Sequence, residues 1–173
     1  MPWTPRTSPF TDAQWVVSQC GALAQEGRKW HSPFIVTNIA GAGDTDFLLL
    51  NDVNVASFSY NVESDKEALV YVYENPTITA NGAALPIILL NRNNPSGLTT
   101  DVETYSGATI AAVGDFRDSH ILGDAAGGGK TGGDESSGTC AWVVEPGSNW
   151  LLRVTTVGAN TRIDLNFRWC ENI

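Results

Sequence analysis

The chain has 173 residues, a formal net charge of −9, and three cysteines among 17 Gly and 8 Pro. That length supports one ordinary hydrophobic core, and one domain is expected. The acidic balance, with no Lys/Arg cluster, opposes contact with phosphate backbones, and no apolar run approaches the roughly 20 residues of a membrane helix, so neither a nucleic acid nor a membrane is expected as a partner.

Residues 1–12 carry Pro2, Pro5 and Pro9 among Thr and Ser. Proline removes backbone donors and favours extended chain, so this segment reads as an N-terminal arm that stays loose or lies on a neighbour. It has no apolar h-region, and a cleaved secretion signal is not expected. Residues 13–173 read as a single β-sandwich domain. Over 12–29, Trp15, Val16, Cys20, Leu23 and Ala24 fall near one helical face, although Gly21 weakens it; a strand over QWVVSQC fits equally well.

From residue 33 onward, β signals dominate. PFIVTNIA is a strand and GAGDTD (Gly41 to Asp46) a turn, followed by strands in DFLLLND and VNVASFSYNVES, with a turn at Ser64-Asp65-Lys66. Leu69 to Asn93, LVYVYENPTITANGAALPIILLNRN, is the most informative stretch. Val70 and Val72 point one way while Leu69, Tyr71 and Tyr73 point the other, so both faces are apolar and both need cover. Some cover could come from the chain's own domain and some from another subunit. Asn81-Gly82 is a tight-turn signal, and Pro86 confines its segment to a strand start or an edge. Residues 94–107 read as polar and loop-rich, and GATIAAVGDF as a weaker strand. Residues 123–139 form a Gly/Ser loop of low complexity. TCAWVVEPG and NWLLRVTTVG read as a pair around Glu145 to Asn149. TRIDLNFRWCE alternates Ile163, Leu165, Phe167 and Trp169 against Arg162, Asp164, Asn166 and Arg168, the clearest half-buried strand. Eight or nine strands suffice for a two-sheet jelly roll.

Few residues invite chemistry. Gly129-Lys130-Thr131 lacks the first glycine of a phosphate loop and is followed by no helix-forming sequence. Gly41-Ala42-Gly43 lacks the third glycine of a dinucleotide fingerprint. Neither His31 nor His120 has zinc-ligand spacing. Asp115, Asp118 and His120 cluster in GDFRDSH, which reads as a solvated polar loop rather than an acid–base site. Asp44 and Asp46 form a lone D-x-D, weak against a calcium loop. Cys20, Cys140 and Cys170 lack CxxC spacing and fit folding in a reducing cytoplasm; a Cys140–Cys170 disulfide stays open. Trp142, Trp150 and Trp169 lie in strand patterns and are expected in the core, whereas Trp3, Trp15 and Trp30 fall in the less regular N-terminal part. No catalytic, cofactor-binding or metal-ligating residue is assigned, and no cofactor is expected.

Two blocks carry a resemblance. YENPTITANGAALPIILLNRN resembles the "E-x-P-T-x-(S/T)-x-N-G-T … N-R-N" block of small structural proteins of tailed bacteriophages. VVEPGSNWLLRVTTVGANTRIDLNFRWCE resembles their closing "L-x-P-x-T-x-Y-L-x-R-L-T-N … W-Y-E", with Trp150 where Tyr is usual, Thr156 where Asn is usual, and Cys170 in place of the final Tyr. A Gly-rich loop separates the blocks in that family as it does here, and SQCGALAQEGRKWHS is similar to its N-terminal segment more loosely. The resemblance spans roughly residues 15–172 and rests on the order and spacing of motifs that are individually weak.

What it implies is a virion component made in the host cytoplasm, a head decoration or cement protein with an all-β, jelly-roll-like fold. Its partners would be the major capsid protein and further copies of itself, as a dimer or trimer. Trp3, Pro5, Pro9 and Phe10 in the arm, and a sheet edge near Pro86, are the candidate capsid or intersubunit contacts. A carbohydrate- or receptor-binding module of a tail or head fibre is the alternative, and it requires solvent-exposed aromatics on one face or loop tip.

Overall fold

The computed structural model describes residues 28–39, 41–51, 55–90, 99–123, 142–143, 145 and 147–171. Every regular element among them is a strand: β1 (Lys29–Ile39), β2 (Gly43–Asn51), β3 (Val55–Ser64), β4 (Ala68–Glu74), β5 (Thr77–Ala80), β6 (Ala83–Ala84), β7 (Ile88–Leu89), β8 (Val102–Ser106), β9 (Thr109–Ala112), β10 (Asp115–Leu122), β11 (Trp142–Val143), β12 (Trp150–Thr156) and β13 (Thr161–Glu171). The proline-rich arm, all but the last two residues of the 12–29 helix-or-strand segment, the phosphate-loop candidate, Cys20, Cys140, Trp3 and Trp15 lie outside the described residues.

The first sheet has the order β11-β3-β13-β1-β7, the second β10-β4-β12-β2-β8-β6, and β5 pairs with β9 in a separate ribbon. Setting aside the insertion between β4 and β10, eight strands remain. Successive strands change sheet except the fourth and fifth, β4 and β10, which are neighbours in the second sheet; the last strand lies between the first and third, and the seventh between the second and fourth. That is the strand order of a jelly roll, two interlocked Greek keys. All ladders are antiparallel.

Alternation decides what the sandwich buries. In β13, Ile163, Leu165, Phe167 and Trp169 turn inward, as their spacing predicts, and join Trp30 of β1, Phe58 and Tyr60 of β3, Val70 and Val72 of β4, and Trp150, Leu152 and Val154 of β12 in one cluster. Trp150 and Trp169 are core residues, and Trp142 is half-buried against the same cluster. Trp30 is also core, because β1 begins earlier than the apolar run from residue 33 suggests.

Several elements differ from the sequence reading. Residues 94–107 include β8, a strand held between β2 and β6. The GAGDTD turn is shorter, since β2 already starts at Gly43. Segments β11 and β12 are not a hairpin: β11 pairs with β3 and β12 with β2 and β4, so the Glu145–Asn149 turn passes the chain from one sheet to the other. Local sequence proximity favours the hairpin, but the Greek-key crossing buries both faces of the core. Asn81-Gly82 does not close a hairpin either. Strand β5 pairs with β9 and β6 with β8, so the dipeptide is a bend in one continuing arm of the insertion.

Candidate functional site

The insertion between β4 and β10 determines which surfaces stay open. It leaves β4 at Asn75, whose φ of 55° is left-handed and suits Asn better than most residues. The Asn75 N–H donates to the Asn149 carbonyl at 2.7 Å, and the Asn149 side chain accepts from the Asn51 N–H at 3.2 Å. The conspicuous YENPT block therefore ties the ends of β2 and β4 to the β11–β12 turn. The insertion returns into β10 through Gly114. Gly82 and Gly114 both have positive φ, and a Cβ on either would lie 2.2 Å from a backbone carbonyl oxygen, of Ser106 and Glu74 respectively. Glycine is required where the two arms bend this tightly.

The insertion joins the two edges of the second sheet. One end meets β4 and β10; the other continues as β6 and β8 at the opposite edge. Leu48 and Leu151 stand opposite one another and alternate with the inward Phe47, Leu49, Trp150 and Leu152, so they point outward. Both are nonetheless 0% exposed and lie outside the core cluster. Beside them Arg153 grips Asp46 with two hydrogen bonds of 2.7 Å, and Asp44 accepts the Thr155 hydroxyl at 2.6 Å. The Asp46 hydrogen bond raises the Arg153 pKa against the effect of burial. Asp44 and Asp46 are thus engaged by Arg153 and Thr155 rather than converging on a cation, and no group of three or more His, Cys, Asp or Glu among the described residues is arranged to hold a metal.

Toward the other edge, the same face is open. Leu69, Tyr71 and Tyr73 of β4 point outward and are only half-buried. Next to them lies β10, the terminal strand of the sheet. The GDFRDSH segment, read above as a solvated loop, belongs to this strand. Its ladder with β4 slips between Phe116 and Asp118, so Arg117 is an extra, bulged residue. The bulge places Phe116, Ser119 and Ile121 opposite Tyr73, Tyr71 and Leu69, all on the outer face. Without it, Phe116 and Ile121 would point to opposite faces. Phe116 is 58% and Ile121 66% exposed. Tyr73 stacks with Tyr71 at 6.3 Å and meets Phe116 edge-on at 6.0 Å. Arg117 is drawn to Glu74, leaving the aromatic strip flanked by charge.

Of the residues singled out from sequence, Trp3, Pro5, Pro9 and Phe10 lie outside the described residues. Pro86 is exposed, and it stands where the chain steps from β6, the edge of the second sheet, to β7, the edge of the first. Leu85 before it is buried and donates its N–H to the Thr104 carbonyl at 2.8 Å. Strands β6 and β7 are two residues each, so this edge offers a short backbone template. The eight-residue β10 is the longer one. Phe116 and Ile121 escape sequence reasoning because the bulge breaks the period of two. The only trace is that allowing one extra residue at Arg117 restores the alternation.

The ends of the sandwich carry two buried ionisable groups. Glu171 is 4% exposed and accepts from the Trp169 indole N–H at 3.1 Å and from the Thr100 hydroxyl. Burial raises its pKa, the Thr100 and Trp169 hydrogen bonds oppose the shift, and the Asp101 charge adds to it. Burial likewise pushes the Cys170 thiol up to about 11. Neither lies beside a nucleophile–base pair.

No protein-family model matches the chain, and neither does any curated protein sequence.

Proposed function

We propose that this protein is a virion structural protein, a capsid decoration or cement protein that binds the outer shell of a tailed bacteriophage and strengthens contacts between major capsid protein subunits. The observation that carries the reading is the open outer face of β4 and β10. There, an apolar strip of half-buried Leu69, Tyr71 and Tyr73 and exposed Phe116 and Ile121 is open, although Leu48 and Leu151 on the same face are fully buried. Contiguous apolar surface rimmed by charge is characteristic of a protein contact. The two motif blocks that resemble phage structural proteins supply the partner class, and one of them begins at Tyr73, near the end of β4.

The mechanism is mechanical. Each copy adds buried area across a seam between shell subunits, and a specific contact needs on the order of 1,000 Å². Aromatic side chains such as Tyr73 and Phe116 contribute most of such an interface. Repeated attachment to a symmetric shell converts modest contacts into tight retention. The N-terminal arm, with Trp3, Pro5, Pro9 and Phe10, and the Pro86 edge extend the contact.

Co-sedimentation with empty capsids tests the reading. The parent chain pellets with capsids, Phe116→Asp loses most of that attachment, and deletion of residues 2–10 weakens it while leaving the fold intact. Failure of the parent chain to pellet would overturn the reading. A carbohydrate- or receptor-binding role is the second reading, supported by the stacked Tyr71 and Tyr73 with exposed Phe116, since such rings also stack on sugars. Glycan-array binding without capsid binding would favour it.

A further inference from the structure

We propose that β10 is a self-association edge: two copies of the chain pair their β10 strands antiparallel about a twofold axis through Ser119, joining two six-stranded sheets into one. The pairing does not depend on the capsid reading.

Among the described residues, β10 pairs with one strand only, β4, and at the centre of the strand the Ser119 N–H donates to the neighbouring Asp118 Oδ1 at 2.8 Å, a local bond that strand pairing can replace. Its eight residues form an edge about 25 Å long at the usual rise per residue. Edge strands of this length are normally shortened, covered or studded with charge. Here Asp115, Arg117 and Asp118 supply charge, yet the two most exposed large hydrophobic side chains among the described residues, Phe116 and Ile121, lie on the same strand.

The order of side chains along the edge is what selects a second copy as the occupant. With Arg117 bulged, the residues run Phe116 outward, Asp118 inward, Ser119 outward, His120 inward and Ile121 outward. A twofold axis perpendicular to the sheet preserves the faces. Centred on Ser119, it sets Phe116 opposite Ile121 of the second copy, twice over, and Asp118 opposite His120, also twice. Directly opposed residues bring their Cβ atoms to about 4.5–5.5 Å, close enough for both kinds of pair. The neighbouring registers are worse: centring on Asp118 opposes two carboxylates, centring on His120 opposes two imidazoles, and both separate Phe116 from Ile121. A second feature agrees. His120 lies flat on Tyr60 at 5.9 Å, and its buried Nε2 has no hydrogen-bond partner among the described residues. The register places a carboxylate from the second copy on the same face, directly across from that imidazole.

Pairing also doubles the outer strip, because the two sets of Tyr71, Tyr73, Phe116 and Ile121 then lie side by side on one continuous sheet.

Sedimentation equilibrium of the full chain, with cross-linking at the axis, tests the proposal. The parent chain is expected to be a dimer. Ile121→Lys and Phe116→Asp, both at exposed positions, are each expected to weaken dimerisation at least tenfold without altering the far-ultraviolet circular dichroism. Ser119→Cys is expected to form a covalent dimer under mild oxidation, over whatever background the parent cysteines give, whereas the same change at exposed Glu63 is not. A monomeric or trimeric parent chain, a dimer indifferent to both charged substitutions, or a Ser119→Cys variant that does not cross-link would overturn it.

Discussion

The outer face of the second sheet has two halves built by the same strands under the same alternation, and they end up in different environments. Toward β8, Leu48 and Leu151 are sealed and Arg153 is paired with Asp46. Toward β10, Tyr71 and Tyr73 are half-buried and Phe116 and Ile121 stand in solvent. Both halves carry outward apolar side chains, Leu48 and Leu151 in one and Leu69, Tyr71 and Tyr73 in the other. At one edge the insertion adds β6, followed by Pro86 and β7, whereas β10 at the other edge has no further strand beside it among the described residues. The covered half contributes to folding, whereas the open half has surface left for a partner.

Substitutions on the two halves test that division. The largest effect belongs to the sealed half. Leu151→Ala removes a fully buried side chain outside the main core and is expected to cost about 2–5 kcal/mol in chemical denaturation. A loss below about 1 kcal/mol would mean that it is not sealed in solution. Next comes Arg153→Met, which leaves the Asp46 carboxylate, 8% exposed, without its two charge-assisted hydrogen bonds. The expected cost is about 1.5–3 kcal/mol, read from the denaturation midpoint. Smaller is the pH effect of Glu171, at the end of the sandwich and outside both halves. Its folded pKa lies above the ordinary value, so the folded chain holds the proton more firmly than the unfolded one. Stability therefore falls as pH rises from the ordinary carboxylate range through the raised value. Glu171→Gln keeps an acceptor for Trp169 and Thr100 and is expected to flatten that fall in denaturation curves between pH 4 and 7, a window of roughly three units around the carboxylate range. The smallest effect on stability belongs to the open half. Phe116→Ser and Ile121→Ser are expected within about 0.5 kcal/mol of the parent chain at concentrations where both are monomeric, because neither side chain is buried within a single chain. Losses as large as that of Leu151→Ala would erase the distinction.

Much of this arrangement was legible in the sequence. The alternation of Ile163, Leu165, Phe167 and Trp169 specifies β13 and its inward face, and the doubly apolar β4 announces that its outer side needs cover. Pro86 stands at an edge, where a residue without an N–H is tolerated. The rest depended on long-range pairing. Strand β8 has little intrinsic signal and exists because β2 and β6 hold it. Asn81-Gly82 has hairpin chemistry but serves as a bend, since its flanking strands find partners in β8 and β9. The bulge at Arg117 hid β10, because one extra residue converts an alternating strand into an apparently polar loop. The residues that define the open face were therefore half visible, on β4, and half concealed, on β10.

The central claim is that the open face of β4 and β10 is a contact surface in a phage particle. A cryo-electron microscopy reconstruction of the intact particle tests it most directly. The account predicts copies of this protein on the outside of the head, with Tyr73 and Phe116 turned against shell subunits. Finding the protein elsewhere in the particle, or on the head with those side chains facing solvent, would contradict it.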